Sequence, residues 1–397
     1  MASITVGALL VLAVAAGTVL ADPGGMFAPT DNPWPYSDPG PAPVLATVGD
    51  ISCQTGAPQG TEKSTDVCTG GFNPTIRNAA QNATAQQVEA MSPALVAVLG
   101  DEQYQNGYYQ DFESSFDKYW GAFKFLQRPA PGNHEFYDNH GQPGVRGYGY
   151  FDYYNGIQHN AADGTELDTT ISPTVTQPTP QPDGQAGPFG TTGNGWYSYN
   201  LGDWHLISLN AECADEPGGC SPTGSWFSSE TAWLAQDLSE NHARCTLAYW
   251  HQPTFSSTAS PTTSDSNEGK TADAWWQLLY QHHATLVLNG HDHVYSRFAP
   301  MDPAGNYDPR NGIREFIVGT GGESLDTVIP STPNLQQWAD QYYGAMKLTL
   351  KPDGYAWDYE SALLNPGAPV GTPTTYSDSG TGVCNGLASD QQGQNQG

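Results

Sequence analysis

Five short apolar runs in this sequence each end in residues able to hold a metal ion. Val44-Leu45-Ala46-Thr47-Val48 leads into Gly49-Asp50, and the run 94–99 leads into Gly100-Asp101, with Tyr104 three residues on. Pro129-Ala130-Pro131 precedes Gly132-Asn133-His134-Glu135. The run 246–250 ends in His251, and 284–289 ends in Gly290-His291-Asp292-His293. Carboxylate, phenol, amide and imidazole are the oxygen and nitrogen donors that hard and borderline cations take. Each signal is weak by itself. Gly-Asp is most often a turn, His-x-His a hydrogen-bonded pair, and Asn-His before Glu a helix cap. Five in series, each on the end of an apolar run, are hard to obtain by chance.

Some architecture must bring these five ends together. Continuous apolar runs of this length are what strands buried on both faces look like. In layered α/β sheets, ligands collect at the carboxyl ends of the strands. A glycine before the ligand residue lets the backbone turn tightly toward the site. Helical periodicity is clearest over 229–238 and 273–283. The second stretch has Trp275, Trp276 and Leu279 at helical spacing after Thr271 as a cap, and its tryptophans read as core.

The series resembles the calcineurin-like metallophosphoesterase superfamily, and within it the purple acid phosphatase branch, over roughly 43–350. Trp196-Tyr197-Ser198-Tyr199-Asn200-Leu201-Gly202-Asp203-Trp204-His205 is similar to a strand pair of that branch. Val318-Gly319-Thr320-Gly321-Gly322 resembles a glycine-rich loop common in exported bacterial members. The resemblance implies an α/β fold: a four-layer α-β-β-α sandwich of two mixed sheets flanked by helices, with a dinuclear metal site at strand ends. It implies Asp50, Tyr104 and His293 on one ion, Asn133, His251 and His291 on the other, and Asp101 bridging both. Carboxylates and a phenolate suit Fe(III), whereas two imidazoles and an amide suit a divalent Zn, Mn or Fe ion.

The implied activity is that of an acid phosphatase-like phosphomonoesterase in which a metal-bound hydroxide attacks phosphorus. His134, next to Asn133, would protonate the leaving alkoxide or stabilise the transition state. Asp292 would orient His291 or a neighbouring loop. Tyr295 and Arg297 either reach the pocket or close the loop. Two departures from the family pattern stand out. Ser52 replaces a His ligand of the wider superfamily, where the purple branch usually has Gly, which supports Tyr104 as the substitute ligand. Glu102 stands where related bacterial sequences often carry Asn, which puts substrate contacts in question.

Acidic residues number 41 against 13 basic ones, for a formal charge of −28. That balance argues against a nucleic-acid groove, which needs clustered Lys and Arg. The expected partner is a small phosphorylated substrate, drawn in by bound cations rather than by basic side chains. Residues 1–21 read as a signal peptide: 4–20 is nearly all apolar and Val19-Leu20-Ala21 offers a small-residue cleavage pattern. The run is short for a membrane span and is interrupted by Gly7 and Gly17. A secreted, extracellular protein with no membrane attachment after cleavage is expected.

Six cysteines without a Cys-x-x-Cys pair suit an oxidised, exported chain. Proximity favours Cys53–Cys68 and Cys213–Cys220, leaving Cys245–Cys384 to tie down the tail. By composition, 22–42 is a Pro/Gly-rich arm and 43–365 the metallophosphoesterase domain. A low-complexity insertion occupies 156–195, and 366–397 is a disordered tail. A phosphodiesterase or nucleotidase on the same metal site is the alternative enzyme. A non-catalytic surface-binding protein is the alternative of another class, but it would have shed ligands, and all seven are present.

Overall fold

Alternation within the apolar runs sets the layers. The computed structural model describes residues 41–54, 74–137, 147–155, 195–213, 219–221, 223–258 and 265–385. Each of the five runs holds a strand: β1 (Val44–Val48), β2 (Leu95–Leu99), β3 (Gln127–Ala130), β6 (Cys245–Tyr249) and β7 (Leu286–Asn289). Leu45, Ala97, Leu99, Leu247, Leu286 and Leu288 join one core cluster. Their neighbours one position away point to the opposite face, as a two-residue period requires. Ala46, Val48, Val96 and Val98 pack with Ala85 and Val88 of helix α1 (Pro74–Ala90). Ala248 and Val287 pack with Leu234 and Leu238 of one helix and Trp275, Trp276 and Leu279 of another. The runs are continuous because both faces are covered, one by the other sheet and one by helices.

In the first sheet β1, β2 and β3 run parallel. Beyond β1 it continues antiparallel through β11 (Tyr342–Lys351), β12 (Gly354–Leu364) and β13 (Ser377–Val383). The second sheet has a parallel centre of β5 (Trp204–Ser208), β6, β7 and β9 (Arg314–Val318). Its margins are antiparallel: β4 (Tyr197–Leu201) on β5, and β8 (Tyr295–Phe298) between β9 and β10 (Leu335–Ala339). The fold is therefore α/β, with two mixed sheets flanked by helices, and Trp196–His205 does carry a strand pair.

Short helices α2 (Asn133–Phe136) and α3 (Tyr148–Asn155) follow β3, and two further long helices, comparable to α1, are α4 (Ser225–Glu240) and α5 (Asp265–Gln281). Helix α5 starts well before Thr271, so that residue is inside the helix and not its cap. The expected tail is also corrected over its described part. Residues 377–383 pair with β12 along the whole strand, and Cys384 is bonded to Cys245. A ladder uses backbone donors and acceptors, so the Ser/Gly-rich composition that suggested disorder does not prevent it. Asp378 adds an anchor, accepting from Tyr295 at 2.6 Å and pairing with Arg297 at 2.7 Å. Cys213–Cys220 forms as expected, and Cys53 is disulfide-bonded. Its expected partner Cys68, the signal peptide, residues 22–40 of the arm, 156–194 of the insertion and the last residues of the tail lie outside the described residues.

Candidate metal centre

The strand exits interlock before any side chain is considered. Past β1 and β2 the two chains keep pairing, with Asp50 N donating to Gly100 O at 3.1 Å and Ile51 N to Asp101 O at 2.9 Å. The glycine-rich loop after β9 closes over them: Gly321 N donates to Gly49 O and Glu323 N to Asp50 O. Asp50, Asp101 and His291 all sit in the left-handed backbone region, at φ 60°, 51° and 67°. That region is costly for residues other than glycine, and three such residues converge here. Gly100 is required for closeness as well as for its φ of 85°, since a Cβ there would fall 2.5 Å from His251 Nδ1.

The first cluster gathers on the Tyr104 hydroxyl. It lies 3.0 Å from Asp50 Oδ1, 2.9 Å from Asp101 Oδ2 and 3.1 Å from His293 Nε2. Asp50, Asp101 and His293 are together close enough to share one cation. The second cluster gathers on Asn133 Oδ1, which lies 3.1 Å from His251 Nε2 and 3.2 Å from His291 Nδ1. Asp101 Oδ2 belongs to both, since it is also 3.2 Å from His251 Nε2.

The donor chemistry fits cations at both clusters. His251 donates its Nδ1 proton to Leu99 O at 2.8 Å, and His293 donates its own to Ser324 O at 2.6 Å. Each Nε2 lone pair therefore points inward. His293 Nε2 then meets Asp50 Oδ1 at 3.3 Å, and His251 Nε2 meets Asp101 Oδ2 and the Asn133 oxygen. Lone pair against lone pair at these distances needs a proton or a cation between them. Burial opposes charge on the His293 ring, but the adjoining Asp50 carboxylate, helped by Asp326 and Glu323, raises its pKa to about 10. Tyr104 has the mirror-image problem. Burial, then Asp101 and Asp50, push its pKa well above the ordinary phenol value, and its single proton can serve only one of two carboxylates. A cation in the same place reverses both effects.

His134 stands at the edge of the first cluster. Its backbone N donates to Asp101 Oδ1 at 3.0 Å, and its Nδ1 donates to Gln105 O at 2.7 Å, leaving Nε2 3.8 Å from Asp101 Oδ2. Asp292 lies behind the second cluster. Its carboxylate accepts from Ser256 at 2.7 Å and from Thr258 at 3.1 Å, so it grips the loop that follows His251. Tyr295 and Arg297 are directed to Asp378, as described above, rather than to the centre. Glu102 is fully buried, its carboxyl raised by burial and by neighbouring Glu135, so it is closed off from solvent.

Sequence reasoning missed the groups that hold this backbone. Glu135 Oε2 accepts from Asp101 N and Gly132 N, both at 2.9 Å, and Oε1 accepts from Gln103 N at 3.1 Å. A signal existed, because Glu at the third helical position commonly reaches back to the N-cap amide. Its second use, on Asp101, spans 34 residues and has no local mark. Buried Glu315 likewise accepts from Thr254 N and Phe255 N beside His251. Asp326 accepts from His293 N.

Known proteins give a consistent picture. Residues 45–295 match the calcineurin-like phosphoesterase family. Purple acid phosphatase 15 of Arabidopsis thaliana is 29% identical over 144 residues, covering 34% of this chain and 24% of that protein. An uncharacterized protein of Mycobacterium tuberculosis is 27% identical over 151 residues, covering 33% of this chain and 28% of its own length. The match thus spans about a quarter of these relatives. A purple acid phosphatase from yellow lupin (Lupinus luteus) seeds shares the fold at a TM-score of 0.52 and 15% identity, over 85% of this chain and 53% of that one. GAP50, the anchor in the inner membrane complex of Plasmodium, does so at 0.51 and 13%, over 87% and 89%.

Proposed function

This chain belongs to the calcineurin-like phosphoesterase family, and from that membership we propose that it is an exported metal-dependent hydrolase of small phosphate monoesters. One observation carries the reading. A single buried carboxylate, Asp101, touches both donor clusters through the same oxygen, 2.9 Å from Tyr104 and 3.2 Å from His251. Two donor clusters that share one anion would suit a pair of cations.

Asp50, Tyr104, Asp101 and His293 would hold one cation, with Fe(III) the choice that suits a phenolate. Asn133, His251, His291 and Asp101 would hold the other, a Zn, Mn or Fe(II) ion. When bound, such a pair lowers the pKa of water and offsets charge on phosphate oxygens. The protein's own part is positioning and proton supply. Glu135 and the Gly321–Glu323 amides hold the two aspartate backbones. Ser324 O fixes the His293 ring, and Asp326 holds its backbone N. His134 keeps Nδ1 on Gln105 O, so a proton carried on Nε2 faces the site and can pass to the leaving oxygen.

The acidic chain, the described disulfides and the apolar amino terminus support export. Metal analysis of the purified protein, combined with paired monoester and diester assays, tests the function. Two ions per chain with monoester turnover is the expected result. Faster diester turnover would assign it to the phosphodiesterases. Two ions with no turnover of either would leave a binding protein.

A further inference from the structure

Tyr137 stands at the rim of the metal centre, immediately after α2, and is 42% exposed. Its hydroxyl accepts a hydrogen bond from Asn133 Nδ2 at 2.9 Å. An Asn amide has two ends of opposite character, a donor NH2 and an acceptor oxygen. With Nδ2 committed to Tyr137, the oxygen is the end that faces His251 Nε2 and His291 Nδ1. The Tyr137 ring also meets the His134 imidazole edge-on, with centroids 4.9 Å apart. One side chain therefore touches a proposed ligand and the proposed proton donor while much of it stays open to solvent.

We propose that Tyr137 does two things here. Its hydroxyl is a positioning group that decides which end of the Asn133 amide meets the second cation. Its ring is the wall against which the organic part of the ester lies, so that aryl phosphates are preferred to alkyl phosphates. The second half rests on the phosphoesterase reading; the first rests on the geometry of the amide. A flat π-face beside the reacting centre favours an aromatic group through offset or edge contacts. A flexible alkyl chain gains less from the same surface.

The test uses the full chain carrying Tyr137→Phe or Tyr137→Leu. Zn2+ binding is measured by competition against a chelator, without turnover, and kcat/KM is compared for phenyl and ethyl phosphate. Tyr137→Phe is expected to bind the second equivalent of Zn2+ about 10–100-fold more weakly, as loss of a ligand's hydrogen-bond partner does. Its phenyl-to-ethyl ratio stays at the wild-type value because the ring remains. Tyr137→Leu is expected to show the same weakened binding and a ratio lowered by roughly 2–10-fold. Undiminished Zn2+ binding by Tyr137→Phe overturns the positioning role. An unchanged ratio in Tyr137→Leu overturns the role of the ring. If the wild-type protein hydrolyses neither ester, the phosphoesterase reading and the ring's role fall together, and the Zn2+ competition still decides the rest.

Discussion

The Tyr104 hydroxyl oxygen lies 3.1 Å from His293 Nε2, across 189 residues of sequence. The contact places a phenol where Ser52, itself buried nearby, offers no imidazole. A phenolate on Fe(III) absorbs visible light by charge transfer, so the iron-loaded protein should be violet or pink. Tyr104→Phe should bleach that band while the circular dichroism spectrum keeps its shape. A Phe protein with an unchanged visible spectrum would remove Tyr104 from the ion.

Asp101→Asn tests the bridge. Asn tolerates the left-handed backbone of this position, so the fold is expected to survive. One lost charge should weaken both ions, by roughly 100-fold or more each, a larger effect than loss of an outer partner. Metal content after dialysis reads this directly. Loss of only one ion would mean that Asp101 belongs to a single cluster.

His134→Gln should retain both ions and lower kcat by about 10²–10⁴, the range for a general acid. Nitrophenolate leaves without needing a proton, so its ester should suffer least and an alkyl ester most. An equal loss on both esters would mean that His134 positions the phosphate instead.

Glu230 gives a pH-dependent prediction outside the site. Helix α4 buries it completely, and its carboxyl accepts from Asn210 N at 2.7 Å. Burial raises its pKa well above 4.5, with the Asn210 bond opposing. At pH below the unfolded value both states carry the proton, and the group adds no pH dependence. Above it the unfolded chain releases the proton while the folded chain keeps it, so stability falls as pH rises, by up to about 1.4 kcal/mol per unit, until the folded pKa is passed. Glu230→Gln removes that slope. Urea midpoints at pH 5 and pH 8 should converge in the mutant relative to wild type, and parallel pH profiles would refute the assignment.

The Cys245–Cys384 bridge closes a separation of 139 residues. Replacing both cysteines with alanine should destabilise the oxidised protein by about 2–5 kcal/mol. Denaturant midpoints measure this, and hydrogen exchange should quicken first along β13. A midpoint that does not move would mean that the β12–β13 ladder alone holds this strand.

The donor residues were legible in the sequence because each lies within five residues of the end of an apolar run, and that signal is local. A buried strand needs only its own few side chains to declare itself, and the glycine and ligand that end it are its neighbours. For the same reason the core strands could be read ahead of the structure, whereas the Trp196–His205 pair followed from the family resemblance. Of the partnerships between distant residues, Cys245–Cys384 was reached only by elimination and the grouping of the ligands only by resemblance. The packing of one sheet against the other brings His251, after β6, to Asp101, after β2, while Tyr104 reaches Asp101 from only three residues on. The tertiary structure alone decides which ring nitrogen of His251 and His293 faces inward, because a carbonyl from another segment takes the other. It also decides that Tyr295 and Arg297 turn to Asp378, and that residues 377–383 form a strand despite a composition suited to disorder. A strand edge and a disulfide partner supply that order from outside the segment. A window of sequence holds the chemistry of a residue, whereas its partner is set by where the remainder of the chain has folded.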